Sequence, residues 1–516
     1  MNQSSSPDSG HGDRPGMPHN GRRIVRNGWL NLGGHMLFAL LQLFVVFVLA
    51  RQLGMAGLGD YYTLITMMLI VQLIFESGMG TVLTMRIAQS PDIARQQIAE
   101  ASGMFTVISV VSALVILLLG GGWFLSRNAV NWYPAVLGTA VACSAIQWQR
   151  FAAGVFQASE IFVYENLAKV LQVTLYLLGL TLLVISDASN LNTAIVALAV
   201  SHVLAAVFLL WRLARQCDGI GWQFDLRIAD QWGRRALPLG WGDVLRKITW
   251  QLDTIVLAIF TSPVQVGTYS LAYRPLGPLN WIPRAMLAAA FPTVTRHAKT
   301  HSESTCQAFA TSTRLLLVMG IPLAIGLFFA AEPLIHLLVG EQFRASVGLL
   351  QVLIWVIILS FVSQQFRFFL TAVHLHRYFA VLVAMTLALK VALLLWLAPT
   401  YGAFGACLGT LVSEAIFTCV GLALCVQVGI ARIDWKLFGR LVISAAIMSI
   451  VAWFGRELDL ILLIPWLGLA TVVYLVACYG QGVFGHEECD YVGQVRHQIA
   501  CRFKPLSSAV FGNRTP

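Results

Sequence analysis

Residues 28–50 read GWLNLGGHMLFALLQLFVVFVLA, and residues 57–80 read GLGDYYTLITMMLIVQLIFESGMG. The first stretch carries no Asp, Glu, Lys or Arg over a length that crosses a bilayer, whose hydrocarbon core near 30 Å takes roughly 20 helical residues. Only a short turn separates it from the second, so the two read as a membrane hairpin. Working outward, comparable stretches fall at 103–125, 133–155, 163–186, 193–212, 237–260, 267–291, 314–331, 346–373, 377–397, 403–426, 437–456 and 459–480. Helices alone can satisfy every backbone group of such spans in lipid, so the fold class is an all-α polytopic membrane protein with about fourteen transmembrane helices. A composition 58% hydrophobic and 11% charged, with mean hydropathy +0.74, agrees.

The formal charge of +10 is sorted by loop, which points to membrane topology and away from nucleic acid. One set of gaps and ends holds Arg22, Arg23, Arg26, Arg86, Arg95, Arg212, Arg215, Arg227, Arg234, Arg235, Arg296, Lys299, Arg377, Arg432, Lys436, Arg496, Arg502 and Lys504. The other holds little beyond Arg51, Arg127, Arg344 and Arg456. Basic loops stay cytoplasmic, and an even number of spans returns the chain to its starting side, so both termini are expected in the cytoplasm. Residues 1–27, rich in Ser, Gly, Pro and Asn, read as a disordered tail without a cleavable signal peptide. The nine cysteines form no CxxC pair and imply neither a disulfide framework nor a zinc site.

The hairpin turn recurs. Val48-Leu49-Ala50 followed by Gly59-Asp60-Tyr61 returns without a gap as Val256-Leu257-Ala258 followed by Gly267-Thr268-Tyr269. Six spans lie between the copies, so two six-helix lobes of the same orientation are expected, related by an axis along the membrane normal with a cavity between them. The expected division is a tail at 1–27, an N-terminal lobe at 28–212, an interfacial linker at 213–236, a C-terminal lobe at 237–426, an extra helix pair at 427–480 and a tail at 481–516. Trp222 to Trp232, with Arg227, Arg234 and Arg235, reads as an amphipathic segment joining the lobes.

Ala50-Arg51-Gln52-Leu53-Gly54 with Gly57, Gly59 and Tyr61 resembles the opening motif of the polysaccharide transporters, the lipid-linked oligosaccharide flippases of the multidrug/oligosaccharidyl-lipid/polysaccharide exporter superfamily. Gln251-Leu252-Asp253-Thr254 before Val266-Gly267-Thr268-Tyr269, then Phe291-Pro292, Leu338-Val339-Gly340-Glu341-Gln342-Phe343 and Tyr401-Gly402-Ala403-Phe404-Gly405-Ala406, are similar to later motifs of that family in the same order. The resemblance spans about residues 25–480 and implies a V-shaped, two-lobed exporter working by alternating access. The related lipid II flippases carry arginines within the first span; residues 28–50 have none, which favours the polysaccharide branch. The resemblance also implies a bacterial inner-membrane setting, an undecaprenyl-pyrophosphate-linked glycan of O-antigen, lipopolysaccharide or exopolysaccharide type as cargo, and polymerase and chain-length proteins as partners.

Ionisable groups at membrane depth are costly and usually face a bundle interior or a wet cavity. In the seventh span Asp243, Arg246, Trp250 and Asp253 share one helical face, with Lys247 beside them. In the eighth, Arg274, Trp281 and Arg284 lie broadly on one side, among Pro275, Pro278 and Pro283, which bend or break the helix. Asp253 and Arg274 lie roughly 10 Å in from the connecting turn and can pair; Lys390 and Glu414 meet near mid-membrane and can neutralise each other. Guanidinium forks match phosphate oxygens, so Arg246, Lys247, Arg274 and Arg284, assisted by Lys390, are the candidate head-group residues. Asp253 and Glu414 are candidates for pairing with those cations or binding a coupling H+ or Na+; no other cofactor is expected. Glu165 and Lys169 read as a local i,i+4 pair, Glu76, Arg150 and Arg367 as interfacial groups, and His35 and His202 as interior histidines.

No nucleophile constellation, nucleotide loop or long outer loop supports an enzyme such as a glycan polymerase, and His486-Glu487-Glu488-Cys489 reads as a chance cluster in the tail. A multidrug exporter of the same superfamily would need an apolar cavity with acids for cationic cargo. The arginine and lysine surplus favours an anionic one, and with it a flippase.

Overall fold

A computed structural model describes residues 19–127, 131–217, 219–287, 303–373 and 375–484. Residues 1–18 and 485–516, Pro292, Arg296, Lys299 and the His486–Cys489 cluster lie outside these residues, as do the side chains of His35 and Asp243; residues 19–27, expected in the disordered tail, are instead the start of helix α1. The helices are α1 (His19–Glu76), α2 (Met79–Gln89), α3 (Ala94–Ser126), α4 (Tyr133–Ala158), α5 (Phe162–Ile185), α6 (Leu191–Gln216), α7 (Leu226–Phe260), α8 (Pro263–Tyr273), α9 (Leu276–Leu279), α10 (Glu303–Val339), α11 (Ala345–Ala372), α12 (His376–Gln427), α13 (Trp435–Phe454) and α14 (Leu460–Gly480).

Among the described residues, nine segments are long and apolar enough to cross a membrane. Two of them, Leu37–Gln89 and Arg377–Gln427, are 53 and 51 residues long, twice what one crossing needs. Each is bent at a glycine in the left-handed region, Gly54 (φ 64°) in α1 and Gly402 (φ 58°) in α12, a conformation that residues with a Cβ rarely adopt. The turns expected at 51–56 and near 401 are therefore tight glycine kinks without a loop. α4, which falls below that apolar threshold, and the broken α8–α9 pair both line the cavity described below. The expected proline break is present: the chain leaves helical hydrogen bonding at Arg274–Pro275 and again at Asn280.

Leu118, Ile185, Trp396 and Phe454 are each more than two-thirds exposed, an outward apolar surface suited to lipid. Inside lipid no hydrophobic drive holds helices together, so close packing through small residues does that work. Where the lobes meet, the two glycines of the repeated turn face each other. A Cβ on Gly59 would lie 1.8 Å from the Pro263 carbonyl oxygen, and a Cβ on Gly267 would lie 2.0 Å from that of Met55. Met55 is separated from Pro263 by the same interval as Gly59 from Gly267, so the contact is reciprocal, as a two-fold relation between α1 and α8 requires.

Two arginines from the sparsely basic set of loops reinforce this end. Arg51 donates to the Leu337 carbonyl (2.8 Å) near the end of α10, and Arg127 to that of Ala258 (2.7 Å) near the end of α7. Both are cations at the carbonyl-rich end of a helix in the other lobe, where the macrodipole favours them. They depart from the loop-charge rule because they fasten one lobe to the other.

At the opposite end the linker is docked on the N-terminal lobe. Gln223 N donates to Ala99 O (2.9 Å), Ser102 Oγ to Gly221 O (2.6 Å) and Trp222 Nε1 to Thr106 Oγ1 (3.1 Å). Trp232, 1% exposed, lies under the Arg86 guanidinium at 4.7 Å. Residues from Leu226 on then form one helix with the seventh span, started by Asp225, whose carboxylate accepts from Arg227 N (2.7 Å).

Candidate functional site

Beyond the fastened end, a cavity of about 700 Å³ lies between the lobes. One wall is the stripe that α1 presents after its kink: Tyr61, Tyr62, Ile65, Met68 and Gln72, at spacings that keep them on one helical face. The first limb of α1 adds Phe38, Gln42, Val46 and Leu49; α4 adds Gln149 and Arg150, α5 Lys169 and Tyr176, and α6 His202. From the C-terminal lobe come Trp250 and Gln251 of α7, then Tyr273, Arg274, Pro278 and Trp281 where the next span is broken.

The charged lining has one sign. Arg150, Lys169 and Arg274 face the cavity, and among the described residues no Asp or Glu lines it. Arg150 and Lys169 are backed by carboxylates at their outer side. Arg150 pairs with Glu76, and Lys169 with Glu165 at 2.5 Å. Arg274 forms no ion pair among the described residues; its guanidinium sits 4.1 Å from the centroid of the Tyr62 ring, a cation–π contact. Half-buried and without a carboxylate among the described residues, it is the group in this wall best placed to take an anion. It sits at the proline break, where the span ends its regular hydrogen bonding before α9 begins.

Aromatic rings surround Arg274. Tyr61 and Tyr62 pack edge to face at 5.3 Å, Tyr176 donates its hydroxyl to that of Tyr61 (3.1 Å), and Trp250 and Tyr273 lie 6.0 Å apart. On the far wall Gln149 Nε2 donates to the His202 carbonyl (2.7 Å), which fixes the amide beside Arg150.

The other expected residues sit elsewhere, and two expected pairings are corrected. Asp253 does not pair with Arg274. Its carboxylate accepts from Lys390 Nζ (2.7 Å) and Thr410 Oγ1 (2.8 Å), and Lys390 also donates to the Thr249 carbonyl (2.9 Å). Glu414 accordingly does not hold Lys390; it takes Arg246 (3.2 Å) and Ser363 Oγ (2.7 Å), with the guanidinium 4.4 Å from the Phe417 ring. The reason is helix rotation. Arg246 and Asp253 face α12 inside the C-terminal lobe, while Arg274, at a depth similar to Asp253, turns the other way into the cavity. Of the five head-group candidates, Arg274 lines the cavity; Arg246 and Lys390 are engaged within the lobe. Lys247 and Arg284 are exposed and outside the lining, and Arg284 Nε donates to Gln364 Oε1 (3.2 Å).

Arg150 and Lys169 are the cavity cations that sequence reasoning assigned to the interface or to a local pair. The Glu165–Lys169 pair is present, but its ammonium also faces the cavity. A signal existed: α4 carries Gln147, Gln149 and Arg150 within one turn, too polar a cluster for a lipid-facing surface.

Residues 24–298 match the family described as "Polysaccharide biosynthesis protein", and the chain belongs to that family. The teichuronic acid biosynthesis protein TuaB of Bacillus subtilis is 28% identical over 165 residues, 31% of this chain and 34% of that protein, so the match spans about a third of the relative's length. Among solved structures, the fold is similar to lipid II flippase MurJ in an inward closed conformation (TM-score 0.72, 13% identity, 87% of this chain and 97% of that one). It is also similar to an inward-facing multidrug resistance MATE family transporter of the MOP superfamily (TM-score 0.60, 12% identity, 75% and 95%). The protein is thus a multi-pass membrane protein of the polysaccharide biosynthesis family with a MurJ- and MATE-like fold.

Proposed function

We propose that the protein is a flippase that moves a polyprenyl-pyrophosphate-linked oligosaccharide from the cytoplasmic to the outer face of a bacterial inner membrane by alternating access. The observation that carries this reading is the cavity itself: closed at one end by the Gly59–Gly267 contact, and lined by cations without an acid among the described residues. A pyrophosphate diester is doubly anionic and accepts from guanidinium forks, so Arg274 at the break, with Arg150 and Lys169 across the cavity, forms its binding surface. Arg284, one helical turn beyond Trp281, meets the cargo at the rim. The lipid tail stays in the bilayer while the glycan is shielded between the lobes. The distribution of basic loops supports a cytoplasmic position for both termini and for the end away from the glycine contact.

The TuaB match supports a surface polysaccharide as the pathway's product and extends the range beyond O-antigen and lipopolysaccharide. Polymerase and chain-length proteins are the partners such a pathway supplies. A coupling H+ or Na+ at Asp253 or Glu414 would have to displace Lys390 or Arg246, cations that the chain itself provides. The multidrug reading needs a carboxylate facing the cavity to hold a cationic drug, and the described lining has none.

The test is to extract lipid-linked glycans from a strain lacking the protein and treat oriented vesicles with an impermeant sugar-modifying reagent. Complete repeat units confined to the cytoplasmic face support flipping. Glycolipid reaching the outer face normally, with new sensitivity to small cationic compounds, moves the assignment to drug export.

A further inference from the structure

We infer that Gln72 forms the sugar-recognising part of the cavity, distinct from the cations that hold the pyrophosphate; the inference rests on the flippase reading above. Gln72 lines the cavity, is 0% exposed, and neither its amide nitrogen nor its amide oxygen has a hydrogen-bond partner. Its polar neighbour is the thiol of Cys143, a weak hydrogen-bonding group. A buried amide left in this state costs about 1–3 kcal/mol, and native structures rarely keep one without a use. The hydroxyl of Tyr273, also in the lining, is unpartnered as well.

The chemistry of these groups selects a ligand. A phosphate diester only accepts hydrogen bonds, so it cannot satisfy the Gln72 carbonyl oxygen. A sugar hydroxyl donates and accepts at once and matches both atoms of the amide. Elsewhere in the lining, the Trp250, Tyr273 and Trp281 rings offer flat apolar surface to the C–H faces of further pyranoses. Position selects which sugar. Gln72 precedes Glu76 by one helical turn, about 6 Å, and Glu76 holds Arg150. A pyrophosphate on the cavity cations therefore brings its first hexose, the residue bonded to the phosphate, to Gln72. Gln147 provides an internal control, being equally buried with both amide atoms unpartnered, yet outside the cavity lining.

The experiment titrates the purified full chain in nanodiscs, following tryptophan fluorescence, with undecaprenyl pyrophosphate and with its glucosyl, galactosyl and N-acetylglucosaminyl forms. Wild type is expected to bind at least one sugar-bearing probe about tenfold more tightly than the bare lipid, the worth of one or two well-made hydrogen bonds. Gln72→Met should erase that ratio and leave bare-lipid affinity unchanged, whereas Gln147→Met should keep it. Without ligand, Gln72→Met should melt at the same temperature or higher, because it removes an unsatisfied amide; a structural role would lower its melting point. The inference is overturned if Gln72→Met preserves the ratio, if it weakens all probes equally, or if wild type favours none of the sugars. Failure of every probe, bare lipid included, would instead sink the flippase reading itself.

Discussion

The two lobes use membrane-embedded ion pairs in opposite ways. In the N-terminal lobe, Arg150–Glu76 and Lys169–Glu165 turn their cations toward the cavity, and the Arg150 and Glu76 side chains keep 30% and 19% of their exposure. In the C-terminal lobe, Asp253–Lys390 is closed on both sides, at 1% and 4%, and Glu414–Arg246 is intermediate, at 8% and 18%. An acid paired with a cation at membrane depth therefore has two outcomes. One lobe presents the cation to the cavity, while the other consumes it in holding α7 against α12. What separates them is the direction in which the pair points, which depends on how each helix is rotated in the bundle.

The sharpest way to break this comparison is to remove one acid from each lobe. Asp253→Asn leaves Lys390 buried without a counter-charge and should cost about 3–5 kcal/mol, seen as lost folded protein and a much lower melting temperature in detergent. Asp253→Asn with Lys390→Met should recover most of the loss. Glu76→Gln, where water can reach Arg150, should cost far less. Equal losses in the two lobes would mean that the pairs do the same job.

Next in size is the contact between the lobes. Gly59→Ala puts a methyl into the Pro263 carbonyl, so the fastened end should open and transport fall sharply while the protein stays folded. A cysteine at Leu49, on the cavity wall of a cysteine-free chain, should then react with an impermeant thiol reagent added from the side opposite the termini. Gly122→Ala, with nothing within 4 Å of the added carbon, should leave it protected. A protected cysteine in both variants would remove the glycine contact from gating.

Arg274→Ala should weaken undecaprenyl-pyrophosphate binding by about 10- to 100-fold, the range for hydrogen bonds to a charged group, with protein levels intact; Arg274→Lys should recover part. The smallest effect is expected at the rim: Arg284→Ala should reduce transport a few-fold, more than Arg284→Lys, and equal activity in all three forms would exclude Arg284.

The fold was legible because membrane physics writes it in length and charge: apolar runs, basic residues in alternate gaps, and a turn repeated in each half. The Gly59 and Gly267 signatures mark where the lobes touch, since only residues without a side chain permit that approach. The kinks at Gly54 and Gly402 were not separable from ordinary turns, because a glycine signals a break without stating its angle. At the site, Arg274 could be read from its place among prolines. The partner of Asp253 could not, because residue counting gives depth along a helix and leaves rotation about its axis open. Arg150 illustrates the same gap. Counted from the end of its span it is interfacial, and only the opposed lobes show that it faces the cavity between them.

The most direct test of the central claim is a reconstituted flipping assay. Purified protein in liposomes carrying a fluorescent lipid-linked glycan would be compared with Arg274→Ala at equal incorporation, with label in the outer leaflet read by an impermeant quencher. The account predicts rapid equilibration between leaflets with wild type and little above protein-free liposomes with the variant. Equilibration at the same rate in both would show that the cationic cavity does not carry the cargo.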